Sequence, residues 1–469
     1  MNRHPTPDIR HLRGKKVLIF GAARSGVASA KFLAAHGAVV ALNDQKPFEK
    51  WSAEAQTLKA EGIGCISGEP PGWLLDNIEL VVISPGVPSK SIPIRYADRA
   101  GAEVIGEVEL ASRYLKGRIV GITGSNGKTT TTALVGDLLK DAGLTVQVGG
   151  NIGTPLISLV ESSTDGGWTV VELSSFQLET IQDFHPTVAI VLNVTPNHMD
   201  RYESLTDYAA AKHRIFMNQT PSDVAVLNAD DEIVSSWAKG LRGHVVKFSV
   251  TSELAEGLFL RGDDLISRTT AGEKVLAKQS EMTLRGLHNV ENALAALAAG
   301  LACGASPESM RGTIGRFQPV EHRLEFVREL EGVKFYNDSK ATSVDATVKA
   351  LEAFAVEQGK VILILGGKGK QAPYAPLAPL VTAHVRELVL IGEDAETIAR
   401  ELGEYTSHQR ATDMKDAVAR AFKAAQPGDI VLLAPACASF DMFESYEHRG
   451  KVFKNEVQSL TSKVQGLST

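Results

Sequence analysis

Short apolar runs recur along the chain, each ending in small or polar residues and most followed by an amphipathic stretch. KKVLIFGAARSGVASAKFLAAHGAVVALND reads as strand, glycine turn, helix and a second strand ending at Asp44. LVVISPGV adds a strand closed by a Pro-Gly turn. Apolar, β-branched runs joined by amphipathic segments predict parallel strands covered by helices, an α/β architecture. RIVGITGSNGKTT starts a fresh strand-loop-helix unit and puts a boundary near Gly106. WTVVELSSFQLE, TVAIVLNVTPNHMD and DVAVLNADD continue it, and LHNVENALAALAAGLACG is a helix closed by glycine. After Phe317-Gln318-Pro319 a third set follows: VKFYNDS, KVILILGG, ELVLIG and DIVLLAPACAS. Three α/β domains are expected, over 1–106, 107–318 and 319–469.

Composition narrows the picture. A length of 469 residues suits about three domains at roughly 150 residues each. Hydrophobic residues at 43% and charged residues at 22% are ordinary for a globular protein. The net charge of −6 argues against a nucleic-acid partner, which needs a basic face. Cys65, Cys303 and Cys437 lie far apart, without zinc or disulfide spacing, so reduced thiols are expected. The polar start MNRHPTPDIRHLRGKK reads as no signal peptide, and no run reaches the roughly 18 apolar residues of a membrane span. A cytoplasmic location follows, with no membrane insertion; nothing signals an interface, so a monomer is the default.

Ligands of open α/β sheets bind outside the carboxyl ends of the strands, and the polar endings lie there. In GITGSNGKTT, glycines at 121, 124 and 127 are expected to turn successive N–H groups toward one oxyanion, helped by the helix starting near Lys128. Lys128 can reach terminal phosphates and Thr129 offers a hydroxyl to Mg²⁺. The first turn, GAARSGVASA, lacks the spacing of a dinucleotide fingerprint. It reads either as packing alone or as the seat of another anionic nucleotide, with Asp44 near its sugar or base. A hydride-transfer enzyme is the rival there, and it leaves the second loop unexplained. Glu172 and His198 follow apolar strands and suit a metal as a set, although each alone reads as structural. Lys212 reads as a helix-surface lysine. Asn289 and Asn292 read as helix-start asparagines, a type that also reads adenine edges. Arg323, the run Asn337–Ser343, Lys370 and the run Pro435–Asp441 supply loops rich in cations, which suit a substrate bearing carboxylates or else solvated surface.

Taken in order, GITGSNGKTT, GGNIGTP, ELSSFQLE, NVTPNHMDRY, GLHNVENALAA, HRLE, NDSKATS, LGGKGK and LLAPACASFDMF resemble the Mur ligase family over nearly the whole chain. ELSSFQLE, NDSKAT and PACASFD are similar to its D-glutamate-adding branch. The resemblance implies a Rossmann-like N-terminal domain, a P-loop ATP-binding central domain and a Rossmann-like C-terminal domain that closes on ligand. It also implies a reaction: ATP phosphorylates the carboxylate of UDP-N-acetylmuramoyl-L-alanine, and the amine of D-glutamate then displaces phosphate. On the same basis Gly124, Ser125, Asn126, Gly127, Lys128, Thr129 and Thr130 hold ATP, with Asn289, Asn292, Arg323 and Asp338. Lys128, Glu172, His198 and Lys212 are implied as catalytic. Two Mg²⁺ ions are implied on Thr129, Glu172, His198 and Lys212, the lysine as a carbamate (N6-carboxylysine). Ser25, Gly26, Asp44, Ser84, Asn151, Ser174, Gln177 and His198 are implied for the UDP-sugar. Lys340, Thr342, Lys370, Ser439, Phe440 and Tyr446 are implied for D-glutamate. Two positions depart from the pattern: Ser343, where asparagine is expected after SKAT, and the glycine-poor turn GAARSG. A folate-polyglutamate ligase, a sibling ligase adding another amino acid and a non-enzymatic nucleotide-binding module are the alternatives.

Overall fold

The structure is a computed structural model that describes residues 8–88, 91–151, 153–196, 201–284, 286–317, 321–354, 359–370 and 372–460. Its strands form three sheets. The first holds β1 (Lys16–Phe20), β2 (Val39–Asp44), β3 (Gly64–Ser67), β4 (Leu80–Ile83) and β5 (Glu103–Gly106), in the order 3-2-1-4-5 and parallel throughout. The order reverses beside β1, so the turn after β1 sits at the switch point of the sheet.

The second sheet holds β6 (Arg118–Thr123), β7 (Val146–Gly150), β8 (Trp168–Glu172), β9 (Val188–Val191), β10 (Val224–Asn228) and β11 (His244–Ser249). It is completed by β12 (Gly257–Arg261), β13 (Asp264–Thr269) and β14 (Gly272–Lys278). The order is 14-13-12-11-10-9-6-8-7, and only the pairs 12–13 and 13–14 are antiparallel. The third sheet holds β15 (Glu325–Leu330), β16 (Val333–Asn337), β17 (Val361–Gly366), β18 (Val385–Ile391), β19 (Ser407–Arg410) and β20 (Ile430–Leu433), ordered 15-16-20-17-18-19. All its pairs are parallel except β15 with β16.

Continuous apolar runs make these strands because both sheet faces are covered. In β17, Val361, Leu363 and Leu365 enter one core with Leu388 and Leu432, while Ile362 and Ile364 enter the other with Val389 and Phe335. Full burial of one such side chain contributes about 1.5–3 kcal/mol. By compactness the chain divides into two units, the first of which holds two of the three sheets. Residues 1–194, 204–281 and 291–316 carry the first two sheets; residues 195–203, 282–290 and 317–469 carry the third. The expected boundary at 318–319 lies outside the described residues. Among the described residues no helix is long and apolar enough to cross a membrane.

Candidate active site

In the first unit the carboxyl ends of β9, β6, β8 and β7 lie side by side, which gathers their loops. The loop after β6 runs into the helix Lys128–Asp141, whose N-cap Gly127 is left-handed at φ 80°. A Cβ there would come within 2.2 Å of Asn292 Oδ1, so only glycine fits beside this asparagine. Asn292 also accepts a hydrogen bond from Thr131 Oγ1 at 3.2 Å, which ties the helix Leu287–Cys303 to the loop helix. Gly121 corrects the sequence expectation. It pairs within β6 and packs against Ile215, Leu173 and Pro186, so its backbone belongs to the ladder and the loop proper begins at Gly124. Ser125 and Asn126 are clamped from β9: Ser125 N donates to Asn193 O at 2.9 Å, and Asn126 N donates to Asn193 Oδ1 at 2.8 Å. Sequence reasoning missed Asn193, whose only signal was its place at a strand end.

Two lysines converge on one carbonyl of this loop. Lys128 Nζ donates to Gly124 O at 2.8 Å and to Ser125 O at 2.9 Å, and Lys212 Nζ donates to Gly124 O at 2.8 Å. Lys212 is no surface lysine: it is 1% exposed, with its ammonium 4.4 Å from the Tyr208 ring centroid. Burial holds its proton affinity well below that of an ordinary lysine, the charge of Lys128 lowers it further, and Glu172 acts in the opposite direction. Glu172 is buried at the end of β8; its Oε1 accepts from Asn151 Nδ2 at 2.9 Å. Its Oε2 is buried without a hydrogen-bond partner among the described residues. An orphaned carboxylate oxygen near the lysine-lined loop, with the Thr129 hydroxyl at the helix start, fits a hard cation. Among the described residues no three His, Cys, Asp or Glu side chains could hold a metal alone. His198 lies outside the described residues. Ser174 caps the turn Ser175–Leu178 in a reciprocal box with Gln177, whose Nε2 is buried without a partner among the described residues.

At the first sheet's switch point, Gly26 lies so close to Gly21 that a Cβ would meet its carbonyl oxygen at 1.8 Å. Ser84 Oγ donates to the same carbonyl at 3.0 Å, and Asp44 Oδ2 accepts from Ala22 N at 2.8 Å. Asp44 and Ser84 therefore shape the turn themselves. Ser25 is half-buried in the first turn of the helix Arg24–Ala35.

In the second unit β16, β20 and β17 are neighbours, so the runs Asn337–Ser343, Pro435–Asp441 and Gly366–Lys370 emerge together. Lys370 Nζ donates to Thr342 Oγ1 at 3.4 Å, and Lys340 Nζ lies 5.3 Å from the Tyr446 ring centroid. Ser439 is buried and Phe440 is exposed. Burial pushes the Asp338 carboxyl up to about 6, opposed by Arg323. Asp338 Oδ1 and Arg323 Nε are both buried without hydrogen-bond partners among the described residues, a place where a polar ligand could complete a site. Asn289, in this unit, is buried. Arg449, which the sequence reading passed over, is buried beneath these loops.

The chain is similar to known proteins along nearly its whole length. Residues 15–106 match the model of the Mur ligase MurD-like N-terminal domain, 122–300 the Mur ligase middle domain and 322–437 the Mur ligase glutamate ligase domain. The UDP-N-acetylmuramoylalanine--D-glutamate ligase of Koribacter versatilis is 46% identical, covering 96% of this chain and 99% of its own. That of Solibacter usitatus is 48% identical with the same coverage. Among solved structures, a pseudomurein peptide ligase type C from Methanothermus fervidus aligns with a TM-score of 0.60 at 19% identity, over 95% of this chain and 100% of its own. The UDP-N-acetylmuramate-alanine ligase of Thermotoga maritima aligns at 0.60 and 20% identity, over 95% and 99%. At that identity these two structures speak for the fold.

Proposed function

The chain belongs to the Mur ligase family, and on that premise we infer that it is an ATP-dependent amide ligase joining D-glutamate to UDP-N-acetylmuramoyl-L-alanine in peptidoglycan precursor synthesis. The observation that carries this reading at the level of chemistry is the convergence of Lys128, Lys212 and the half-satisfied Glu172 around the Gly124 loop. A carboxylate and a triphosphate repel each other, so their reaction needs cations at the point of encounter, and catalysis is then mostly positioning and charge stabilisation. The L-alanine carboxylate attacks the γ-phosphorus and ADP leaves, giving an acyl phosphate. The D-glutamate amine attacks that carbonyl, loses a proton, and the tetrahedral intermediate expels phosphate. We place the reaction in the cytoplasm, where its nucleotide substrates are made.

In this reading Gly124–Thr130 cradle the phosphates, Lys128 neutralises the transferred group, and Asn289, Asn292, Arg323 and Asp338 hold the rest of ATP. Thr129 and Glu172 Oε2, with His198 and a carbamylated Lys212, would hold Mg²⁺, which supplies Lewis-acid charge against the phosphate oxygens. Ser25, Gly26, Asp44, Ser84, Asn151, Ser174, Gln177 and His198 take the UDP-sugar. Lys340, Thr342, Lys370, Ser439, Phe440 and Tyr446 take D-glutamate. A buried lysine at this position supports carbamylation: the neutral amine adds to CO₂ and releases one proton, replacing a costly buried cation by a metal-binding anion. Carbon-13 NMR in labelled bicarbonate should show one carbamate signal that Lys212→Arg abolishes; its absence at saturating bicarbonate would remove the carbamate.

Phosphate release from ATP tests the function. UDP-N-acetylmuramoyl-L-alanine is supplied with D-glutamate, L-glutamate, L-alanine, L-lysine or meso-diaminopimelate in turn. Release with D-glutamate alone is expected. Release with another amino acid would keep the ligase chemistry and overturn the assignment of the loops after β16, β17 and β20.

A further inference from the structure

The helix Tyr446–Ser459 carries an arginine that the chemistry above does not use. Arg449 is 1% exposed, and burial of a guanidinium without a counter-charge is costly. Among the described residues no carboxylate lies within ion-pair distance of it; every hydrogen bond it makes goes to a neutral oxygen. Nε donates to Ser339 Oγ at 3.0 Å. Nη2 donates to Ser339 O at 2.8 Å and Cys437 O at 3.2 Å, and Nη1 to Cys437 O at 3.2 Å and Ala438 O at 3.4 Å.

Those acceptors belong to two loops, Ser339 to the one after β16 and Cys437 and Ala438 to the one after β20. The loop after β17 joins the same knot. Lys368 and Ala438 exchange backbone hydrogen bonds at 2.9 and 3.0 Å, and a Cβ built on Gly367 would lie 3.2 Å from Arg449 Nη1. One side chain thus sits under all three loops that contribute Lys340, Thr342, Lys370, Ser439 and Phe440. Only arginine suits the task, because its planar fork presents five donors in fixed directions, whereas lysine is a point charge. Its N–H groups are all spent on loop oxygens, and its charge is balanced only from a distance, by Asp441 in the loop after β20.

We propose that Arg449 is a positioning residue for the amino-acid substrate, fixing the spacing of the loops after β16, β17 and β20 and so the pocket that receives D-glutamate. The inference rests on the reading that these loops bind D-glutamate. A residue that merely stapled the fold would lower the melting temperature of its variants without favouring one substrate. A positioning residue loses the amino acid selectively, because displacements near 1 Å cost about a hundredfold in such sites.

The test compares wild type, R449K and R449M, each well below its own melting temperature, by KM for all three substrates and by kcat. Wild type is measured first: failure to consume D-glutamate would remove the reading of the loops, not the role of Arg449 within them. Given a D-glutamate ligase, KM for D-glutamate should rise at least tenfold in R449K and further in R449M. KM for ATP and for UDP-N-acetylmuramoyl-L-alanine should stay within twofold. An unchanged KM for D-glutamate, or an equal loss across all three substrates, would overturn the proposal. If R449M does not fold, R449K decides alone, since it keeps the charge and loses only the fork.

Discussion

Glu107, the first residue of the helix Glu107–Tyr114, is buried with one oxygen accepting from Ile157 N at 2.7 Å and the other without a hydrogen-bond partner among the described residues. Burial pushes its carboxyl up to about 7 from 4.5, against the pull of the Ile157 and Leu156 N–H groups. A raised carboxyl pKa means that the folded state holds a proton that the unfolded chain has already lost. Its contribution is therefore present in full below about pH 4.5 and is lost as pH rises through about 7. At about 1.4 kcal/mol per pKa unit, the loss at pH 8 is about 3 kcal/mol. Glu107→Gln keeps the acceptor for Ile157 and cannot ionise. Its melting temperature should exceed that of wild type by several degrees at pH 8 and match it at pH 4.5. Equal melting temperatures at both pH values would show that Glu107 is not buried as a carboxyl. Sequence could not reveal this residue, because an acid in the first turn of a helix reads as ordinary complement to the helix dipole. The place of Glu172 was legible, because an acid closing the apolar run WTVVE marks the carboxyl end of a buried parallel strand.

At the scale of elements, the departure at Ser343 has a local explanation. It is the N-cap of the helix Val344–Glu352, and its Oγ accepts from Ala346 N at 3.3 Å. Asparagine and serine are near-equal caps, so the backbone of the Asn337–Ser343 loop meets the same demand with either. Ser343→Ala should cost about 1 kcal/mol in denaturant unfolding, while Ser343→Asn should stay within a few tenths and leave KM for D-glutamate unchanged. A large rise in that KM for Ser343→Asn would show that the side chain touches substrate rather than the helix. The parallel strands were legible because their apolar runs are uninterrupted and end in polar residues. The hairpins β12–β14 were not, because mixed runs such as GLFLRGDDLISRT combine charge with alternation and lack the buried-strand signature. Gly121 misled for a related reason: a glycine three residues before Gly124 matches the spacing of a loop, and only the ladder with β8 and β9 places it inside a strand. Arg449 and Asn193 act across long sequence separations, to Ser339 and to Asn126, that no local pattern encodes.

For the molecule as a whole, a net charge of −6 gives no general attraction for substrates that are all anions, so each must be held by local donors and cations. Those groups divide between the two compact units. The residues proposed for the UDP-sugar in the turn after β1, at Ser84 and at Asn151 lie in the first; those proposed for D-glutamate all lie in the second. Ligand binding slows exchange of backbone amides where it suppresses local opening, and the stabilisation reaches about 2.7 kcal/mol at a hundredfold excess over Kd. Hydrogen exchange, with a non-hydrolysable ATP analogue in every arm, therefore maps the two sites separately. UDP-N-acetylmuramoyl-L-alanine should protect peptides spanning residues 21–30 and 80–88. D-glutamate, added next, should protect 337–343, 366–370 and 435–441 and leave the first set unchanged. Protection of the turn after β1 by D-glutamate, with none in the loops after β16, β17 and β20, would mean that the amino acid enters beside the sugar. The division of substrates between the two units would then have to be redrawn.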